Sequence, residues 1–325
     1  MFGYYRLASA VPQLRIADVD YNVDRLIAGF REASEKQAAA VVFPELSITG
    51  YSCGDLFFQP RLRQAALEGL RRFTEATEKS GTVAIVGLPF LYGDALYNTA
   101  AVVQAGRVLA LVPKTMLPNY REFYEKRQFT SARALGTGTR EITVNGAQVP
   151  FGTDIVFHDM SSPFSFGVEI CEDLWSVIPP SSTLALHGAR AILNPSAGTE
   201  LTGKAAYRRE LVKQQSGRCL CAYALSSAGV HESTTDVVFG GHCLIADNGR
   251  LAAESARFLR ENFLILADVD FERLAAGRLS ESSFNDNKPL PSTGEMLHVT
   301  LETDVPASPG LEYAFNPVSY THLRA

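Results

Sequence analysis

Three residues that could carry chemistry each follow an apolar segment of the chain. Cys171 lies in FGVEICEDLW (166–175), Glu45 lies in VVFPELSITGY, and Lys114 lies in LALVPKTMLPNY. A thiol can act as a nucleophile, a carboxylate can take its proton, and a fixed ammonium can stabilise an oxyanion. Together these are the groups that acyl transfer through a thioester requires.

Each of the three also has an ordinary structural interpretation. Glu45 could cap a backbone amide, Lys114 could be solvated just past a strand, and Cys171 could be a small buried hydrophobe, as most free cysteines are. The acidic neighbours Glu172 and Asp173 are unusual for a core cysteine. If a sharp turn and a helix begin at Cys171, we expect backbone amides there to favour the thiolate and to contribute to an oxyanion hole.

Alternating patterns of strand and helix must position these residues. Amphipathic spacing predicts helices at 21–38 and 60–79, and further helices are predicted at 180–188, 204–218 and 271–279. Strands and hairpins are predicted at 4–10, 40–43, 82–87, 96–114, 154–159, 163–170, 191–194, 219–225, 237–255 and 262–270. This order predicts an α/β fold with one mixed sheet, or with two sheets and helices outside them. After about residue 280 the pattern fades.

The composition is that of an ordinary globular protein and argues against several partners. Of 325 residues, 46% are hydrophobic and 20% are charged, and the net charge is −5. The absence of a basic stripe and of a long apolar run predicts neither nucleic acid nor a membrane as partner. The N-terminal segment lacks a signal-peptide pattern, and the five cysteines lack the spacing of a disulfide framework. We therefore expect a cytoplasmic protein with reduced thiols.

Three ordered motifs resemble the nitrilase, or carbon–nitrogen hydrolase, superfamily. PELSITGYSCGDL, KTMLPNYREFYEKRQF and GVEICEDLW further resemble the N-terminal glutaminase domain of glutamine-dependent NAD synthetases. NPSAGTELTGKAAYRRELV (194–212) resembles the segment that holds glutamine in that domain. The resemblance implies a four-layer α-β-β-α sandwich of the nitrilase type, with the glutamine amidohydrolase domain at 1–280.

The resemblance assigns roles to particular positions. It implies Glu45 as the general base, Lys114 as the oxyanion-stabilising lysine and Cys171 as the nucleophile. Members of the family often have a serine and a basic residue near the positions of Gly198 and Lys204, and Gly198 cannot offer a hydroxyl. The full set of residues expected to contact substrate is Tyr120, Ser196, Gly198, Lys204, Glu172 and Trp175. Glu122 is a further candidate for a supporting carboxylate.

Full-length members of the family carry a C-terminal ATP-dependent synthetase domain with a Ser-Gly-Gly-x-Asp-Ser phosphate loop. No such run occurs in this sequence, which implies the amidotransferase half alone. Residues 281–325 are expected to form a linker or partial tail, and its end, NPVSYTHLRA, is a candidate non-native segment. No metal or cofactor is expected for this half, whereas ATP and Mg²⁺ are expected only for the synthetase domain. The expected partners are glutamine, that domain and further copies of the chain in a homo-oligomer.

The function implied by these residues is hydrolysis of the glutamine side-chain amide through a cysteine thioester. The ammonia would serve the ATP-dependent amidation of deamido-NAD to NAD by the synthetase domain. Two alternatives remain open. One is a free-standing amidase or nitrilase that acts on another small amide or nitrile, and the other is a non-catalytic regulatory or docking half.

Overall fold

The computed structural model describes residues 3–287 and 295–309. Its strands, in chain order, are β1 (Tyr4–Val11), β2 (Ala38–Val42), β3 (Val83–Tyr92), β4 (Ala95–Gln104), β5 (Arg107–Pro113), β6 (Arg140–Val144), β7 (Ala147–Phe151), β8 (Ile155–His158), β9 (Ser165–Val168), β10 (Ala191–Ser196), β11 (Ala222–Ser227), β12 (Leu244–Asp247), β13 (Arg250–Glu254), β14 (Phe263–Asp270) and β15 (Leu297–Thr300). They form an eight-stranded sheet in the order β14-β1-β2-β3-β4-β5-β7-β6 and a seven-stranded sheet in the order β13-β12-β11-β10-β9-β8-β15.

The helices of the described residues are α1 (Val19–Glu35), α2 (Pro60–Glu75), α3 (Pro180–Leu186), α4 (Lys204–Arg218), α5 (Phe271–Ser280) and α6 (Ser282–Asp286). The first begins where Asp18 caps it by accepting a hydrogen bond from the amide of Tyr21. Leu26 and Phe30 lie on its buried face, as the helical spacing predicts. None of these helices is both long and apolar enough to cross a membrane.

Apolar side chains form three buried layers between four layers of secondary structure. On the outer face of the first sheet, Phe30 of α1 and Phe73 of α2 belong to one cluster. Between the two sheets, Ile85 and Leu193 belong to a second cluster. On the outer face of the second sheet, Val212 of α4 belongs to a third. Because each sheet is covered on both faces, its central strands are largely apolar, and the predicted α-β-β-α sandwich is confirmed.

The strands that precede the three candidate residues end at one side of the molecule. β1, β2 and β3 are parallel to one another, and β5 has the same direction because it is antiparallel to β4, which is antiparallel to β3. In the second sheet, β9, β10 and β11 are also parallel. Residues that directly follow these strands can therefore come together at the carboxyl ends, where open α/β folds tend to bind ligands.

Four details of the structure differ from the predicted elements. The hairpin of β6 and β7 and the strand β15 were not predicted. The strand predicted at 219–225 begins only at Ala222, because α4 continues to Arg218 and Leu220 takes a left-handed conformation with φ 45°. The strand predicted from residue 237 begins at Leu244, and the hairpin turns at Asn248, which has a left-handed φ of 46°.

The described residues beyond position 280 pack against the rest of the chain. β15 pairs in parallel with β8, and Nε2 of Gln104 donates to the carbonyl of Thr303 at 2.9 Å. These contacts belong to part of the predicted linker. The boundary at residue 280 stays a prediction, and the suspected non-native end lies outside the described residues.

Candidate active site

The three residues predicted at strand ends meet at one side of the sandwich. Glu45 lies three positions after β2, Lys114 directly follows β5, and Cys171 lies three positions after β9. The Nζ atom of Lys114 is 2.5 Å from Oε1 of Glu45, and both side chains are fully buried. Cys171 is only 5% exposed. The charges of Glu45 and Lys114 both act on its thiol, so the three groups share one electrostatic environment.

A close approach between β3 and the loop after Glu45 positions this carboxylate. A Cβ on Gly87 would lie 2.1 Å from the amide nitrogen of Leu46, so only glycine fits there. The amide of Glu45 donates to the carbonyl of Ser196 at 3.2 Å, and Nδ2 of Asn98 donates to Oε1 of Glu45 at 2.6 Å. Oε2 of Glu45 is buried and has no hydrogen-bond partner among the described residues. That oxygen is therefore available to accept a proton.

A second carboxylate holds Lys114 from the other side. Oε1 and Oε2 of Glu125 accept from Nζ of Lys114 at 2.7 and 2.9 Å, and the hydroxyl of Tyr51 donates to Oε1 of Glu125 at 2.7 Å. Burial lowers the pKa of Lys114, but the charges of Glu125 and Glu45 more than offset this and hold the pKa well above its ordinary value. Burial raises the pKa of Glu125 to about 7. We call Glu45, Lys114, Cys171 and Glu125 the buried cluster.

Cys171 occupies a sharp turn between β9 and a short 3-10 helix (Cys171–Trp175), as the sequence predicts. Its φ of 47° is left-handed, which costs a non-glycine residue about 1–3 kcal/mol and persists only where the surroundings enforce it. The amide of Cys171 donates to Oδ1 of Asn194 at 2.9 Å. The carboxylate of Asp173 accepts from the amide of Met116 at 2.6 Å, which ties the turn to the loop after Lys114.

The protonation of the thiol corrects one sequence-based expectation. Burial and the negative charge of Glu45 raise the pKa of Cys171 to about 12, although Lys114 acts in the opposite direction. The turn therefore holds a thiol and not a thiolate at neutral pH, because desolvation outweighs the neighbouring dipoles. The amide of Cys171 is occupied by Asn194. Attack by this sulfur would need a base to remove its proton.

Two of the predicted substrate contacts bond to each other at the opening of the site. The hydroxyl of Tyr120 donates to Oε1 of Glu172 at 2.8 Å, and Tyr120 is 49% exposed. Burial raises the pKa of Glu172 above its ordinary value. The charge of Cys171 acts on Tyr120, which places this pair next to the thiol.

Lys204 lies among aromatic rings and hydroxyls on another side of the opening. Its Nζ atom is 5.4 Å from the ring centroid of Phe123 and 5.5 Å from that of Trp175. It donates to Oγ1 of Thr199 at 2.9 Å, and Thr199 donates to Oε1 of Glu122 at 2.8 Å. Burial lowers the pKa of Lys204. We call the four partly open residues Tyr120, Glu172, Trp175 and Lys204 the rim.

Ser196 and Gly198 occupy different surroundings although they are two positions apart. Ser196 ends β10 and is 2% exposed, and its side chain acts on the thiol of Cys171 to lower its pKa. The amide of Gly198 donates to Oγ of Ser227 at 3.1 Å. A Cβ at Gly198 would lie 3.3 Å from Nη2 of Arg208, so the guanidinium fills the side that a side chain would take. Ser196 is thus next to the sulfur, whereas Gly198 has only its backbone to offer.

Several residues of the site were not predicted from the sequence. The carboxylate that contacts Lys114 is Glu125 and not Glu122, which bonds to Thr199 instead. Nothing in the charged segment around Glu125 marks it as buried. Asn98 and Asn194 could have been found, because each is a polar residue inside an otherwise apolar strand and buried polar groups require partners. Among the described residues, no group of three or more His, Cys, Asp or Glu side chains is arranged to hold a metal ion.

Comparison with protein families gives a match over most of the chain. The model of a family described as carbon–nitrogen hydrolase matches residues 6–279. The glutamine-dependent NAD(+) synthetase of Mycobacterium tuberculosis is 40% identical over 288 residues, which are 88% of this chain and 42% of that protein. The same enzyme of Xanthomonas campestris is 32% identical over 82% of this chain and 44% of its own length. The chain therefore spans less than half the length of these curated relatives.

Solved structures agree with this similarity. A glutamine-dependent NAD(+) synthetase from Cytophaga hutchinsonii has a TM-score of 0.73 and 29% identity over 82% of this chain and 43% of that one. An amidase from Nesterenkonia sp. has a TM-score of 0.63 and covers 88% of this chain and 97% of its own, and at 20% identity it supports the fold alone. The two-sheet architecture is thus common to both.

Proposed function

The chain belongs to the carbon–nitrogen hydrolase family, and on that premise we propose that it hydrolyses the side-chain amide of glutamine through a thioester on Cys171. The observation that carries the proposal is the fully buried contact of Lys114 with Glu45 beside a protonated thiol. This arrangement supplies a base, a fixed cation and a nucleophile within one desolvated site. The similarity to glutamine-dependent NAD(+) synthetases supports glutamine as the amide.

In the first half of the reaction, Sγ of Cys171 attacks the amide carbon while its proton passes to Oε2 of Glu45. The carbonyl oxygen becomes an oxyanion, to which Nζ of Lys114 donates a hydrogen bond. Lys114 has three N–H groups. One donates to Glu45 and a second is shared between the two oxygens of Glu125, which leaves the third for the oxyanion. The intermediate then collapses, protonated Glu45 gives its proton to the departing nitrogen, and ammonia leaves a glutamyl thioester.

In the second half, Glu45 removes a proton from water as the water attacks the thioester carbon. Lys114 again stabilises the oxyanion, and the carbon–sulfur bond breaks as Cys171 regains a proton. Glutamate is released and the starting thiol returns. A thiol with a pKa of about 12 depends on Glu45 in the first half, because so little thiolate is present before the substrate binds.

The rim suits a small amino acid better than a plain amide. Lys204 offers a partly desolvated ammonium, which can pair with a carboxylate. Glu172 and Tyr120 offer a carboxylate and a hydroxyl, which can hold an amino group. The remaining contacts with glutamine would come from the side of the second sheet, through Ser196, Gly198 and Trp175. These charges favour glutamine over the alternative of an uncharged amide or nitrile.

The ammonia would be used outside this site, by a synthetase domain. The relatives that share this half are named as NAD(+) synthetases that depend on glutamine, so the product fits ATP-dependent amidation of deamido-NAD by a synthetase domain. ATP and Mg²⁺ would be required by that domain and not by the buried cluster. Assembly of several chains and a cytoplasmic location remain parts of the proposal.

The test is ammonia release by the purified chain from glutamine and, separately, from simple amides such as propionamide. We expect turnover of glutamine with a kcat/KM at least about 100-fold higher than for propionamide, since only glutamine can bond to the charged rim. Equal or higher kcat/KM for propionamide would favour a free-standing amidase. No turnover of either, with no labelling of Cys171 by a glutamine-mimicking electrophile, would favour a non-catalytic module.

A further inference from the structure

We propose that Asn194, Tyr223 and Glu169 form a positioning relay that holds Cys171 in its reactive conformation. The inference rests on the proposed function only in taking Cys171 as the nucleophile. None of the three side chains belongs to the buried cluster or the rim. Each is at most 1% exposed, so each requires internal hydrogen-bond partners.

The relay is an unbroken series of hydrogen bonds that begins at the nucleophile. The amide of Cys171 donates to Oδ1 of Asn194 at 2.9 Å, and Nδ2 of Asn194 donates to Oη of Tyr223 at 2.8 Å. The hydroxyl of Tyr223 donates to Oε1 of Glu169 at 2.5 Å. The amide of Ser181 donates to Oε2 of Glu169 at 2.8 Å, which fixes the other carboxylate oxygen.

Chemistry gives this series a single direction. The amide of Cys171 can only donate, so Oδ1 of Asn194 accepts from it, Nδ2 of Asn194 donates to the hydroxyl of Tyr223, and that hydroxyl donates to Oε1 of Glu169. The NH₂ group of Asn194 therefore faces Tyr223, and its carbonyl oxygen faces Cys171. The oxygen is thus presented to an N–H donor, and rotation of the amide by 180° would place two donors together at Cys171 and two acceptors together at Tyr223.

The relay also closes on itself across three strands. Tyr223 lies in β11, Asn194 lies in the neighbouring β10, and Glu169 directly follows β9, two positions before Cys171. The side chains therefore pass from the end of β9 across β10 to β11 and back. A closed ring of this kind opposes relaxation of the peptide between Glu169 and Cys171.

A left-handed cysteine needs such a restraint. Cys171 has a φ of 47° without the freedom of glycine, and rotation to an ordinary conformation would turn its amide away from Asn194. The same rotation would swing Sγ away from Oε2 of Glu45. Since misplacement of a reacting atom by about 1 Å can reduce a rate about 100-fold, loss of the relay is expected to affect turnover more than binding.

The first variant is Tyr223→Phe, which deletes only the hydroxyl in the middle of the relay. We expect kcat for glutamine to fall by about 10- to 100-fold with KM within about threefold of wild type. The matched control is Tyr5→Phe, because Tyr5 is also buried, at 4% exposed, and packs between Phe164 and Phe271 far from the site. Tyr5→Phe is expected to lower the melting temperature without changing kcat.

A second variant separates positioning from stability. Glu169→Gln keeps an oxygen for the hydroxyl of Tyr223 but loses an acceptor for the amide of Ser181, so we expect a smaller fall in kcat than in Tyr223→Phe. It also carries the test if Tyr223→Phe does not fold. Falls in kcat that simply follow the loss of melting temperature across these two variants and Tyr5→Phe would overturn the relay.

A readout without glutamine keeps this test distinct from the proposed function. Iodoacetamide labelling of Cys171, followed on its peptide by mass spectrometry, is expected to be about tenfold slower in Tyr223→Phe and unchanged in Tyr5→Phe. If the wild-type chain did not hydrolyse glutamine, this difference in labelling would still support the relay. Equal labelling rates in wild type and both tyrosine variants would contradict it.

Discussion

The buried cluster and the rim lie side by side but are built differently. In the buried cluster, Lys114 and Glu45 have fully buried side chains and direct hydrogen bonds to one another. In the rim, Tyr120 is about half exposed and Lys204 depends on aromatic faces and one hydroxyl. Charges interact more strongly where water is excluded. Changes in the buried cluster should therefore alter kcat and folding, and changes in the rim should alter KM.

The largest effect is expected for Lys114→Met. Loss of an oxyanion donor reduces kcat by about 10²–10³-fold, and the two carboxylates left unpaired in the interior lower the free energy of unfolding by about 3–5 kcal/mol. Ammonia release and urea denaturation measure the two losses. The matched control is Lys213→Met, because Lys213 forms an ion pair with Glu210 on the surface of α4. A Lys114→Met protein with wild-type kcat would contradict the role in catalysis that distinguishes the buried cluster from the rim.

A smaller effect is expected for Glu125→Gln on the titration of the thiol. In wild type, iodoacetamide labelling of Cys171 should rise about tenfold per pH unit between pH 7 and 10, because its pKa lies near 12. The negative charge of Glu125 raises that pKa, so removing it lowers the pKa and speeds labelling at a given pH. The difference in labelling rate between Glu125→Gln and wild type should narrow below about pH 7, where Glu125 itself takes up a proton.

The control for that comparison is Glu210→Gln, which removes a carboxylate from the surface of α4. Its labelling profile is expected to match wild type. If Glu125→Gln also matched wild type at pH 9, the charge of Glu125 would not act on Cys171, contrary to the prediction.

The rim should respond differently, and Lys204→Met is the sharper of its two tests. Loss of the ammonium is expected to raise KM for glutamine about tenfold while kcat stays within about threefold, since the contact is present before and during the reaction. Melting temperature should barely change. A loss of kcat without a rise in KM would instead indicate that Lys204 takes part in the reaction itself.

The smallest effect is expected for Tyr120→Phe. It removes one exposed donor to Glu172, and we expect KM to rise by about two- to fivefold because the net value of an exposed hydrogen bond is small. The control is Tyr124→Phe, whose ring is 53% exposed. If both variants had the same KM, Tyr120 would not contact the substrate.

The same contrast explains what the sequence could reveal. Glu45, Lys114 and Cys171 could be found because each interrupts an apolar strand pattern at its end, a local signal. Glu125 could not, because it lies in a charged segment and becomes buried only through contacts with Tyr51 and Lys114. The expectation of a thiolate at the turn was also wrong, because Cys171 lies in the buried layer between the sheets and burial raises its pKa.

The fold was predictable to a similar degree. The apolar strands and the amphipathic helices α1 and α2 follow from periodicity, and the bounds of α4 match those predicted. The hairpin of β6 and β7 was not predicted, although its buried residues alternate with exposed ones on both sides of the turn at Asn145 and Gly146, which is a local hairpin signal. β15 pairs with β8 from far along the chain, and local sequence does not encode such a partner.

The most direct test of the account is to trap the intermediate on the nucleophile. The chain would be mixed with glutamine, quenched in acid within the first turnover, digested and analysed by mass spectrometry. The account predicts a glutamyl group on the peptide that contains Cys171, and no adduct and no ammonia release in Cys171→Ser. An adduct on another residue, or ammonia release by Cys171→Ser at the wild-type rate, would contradict it.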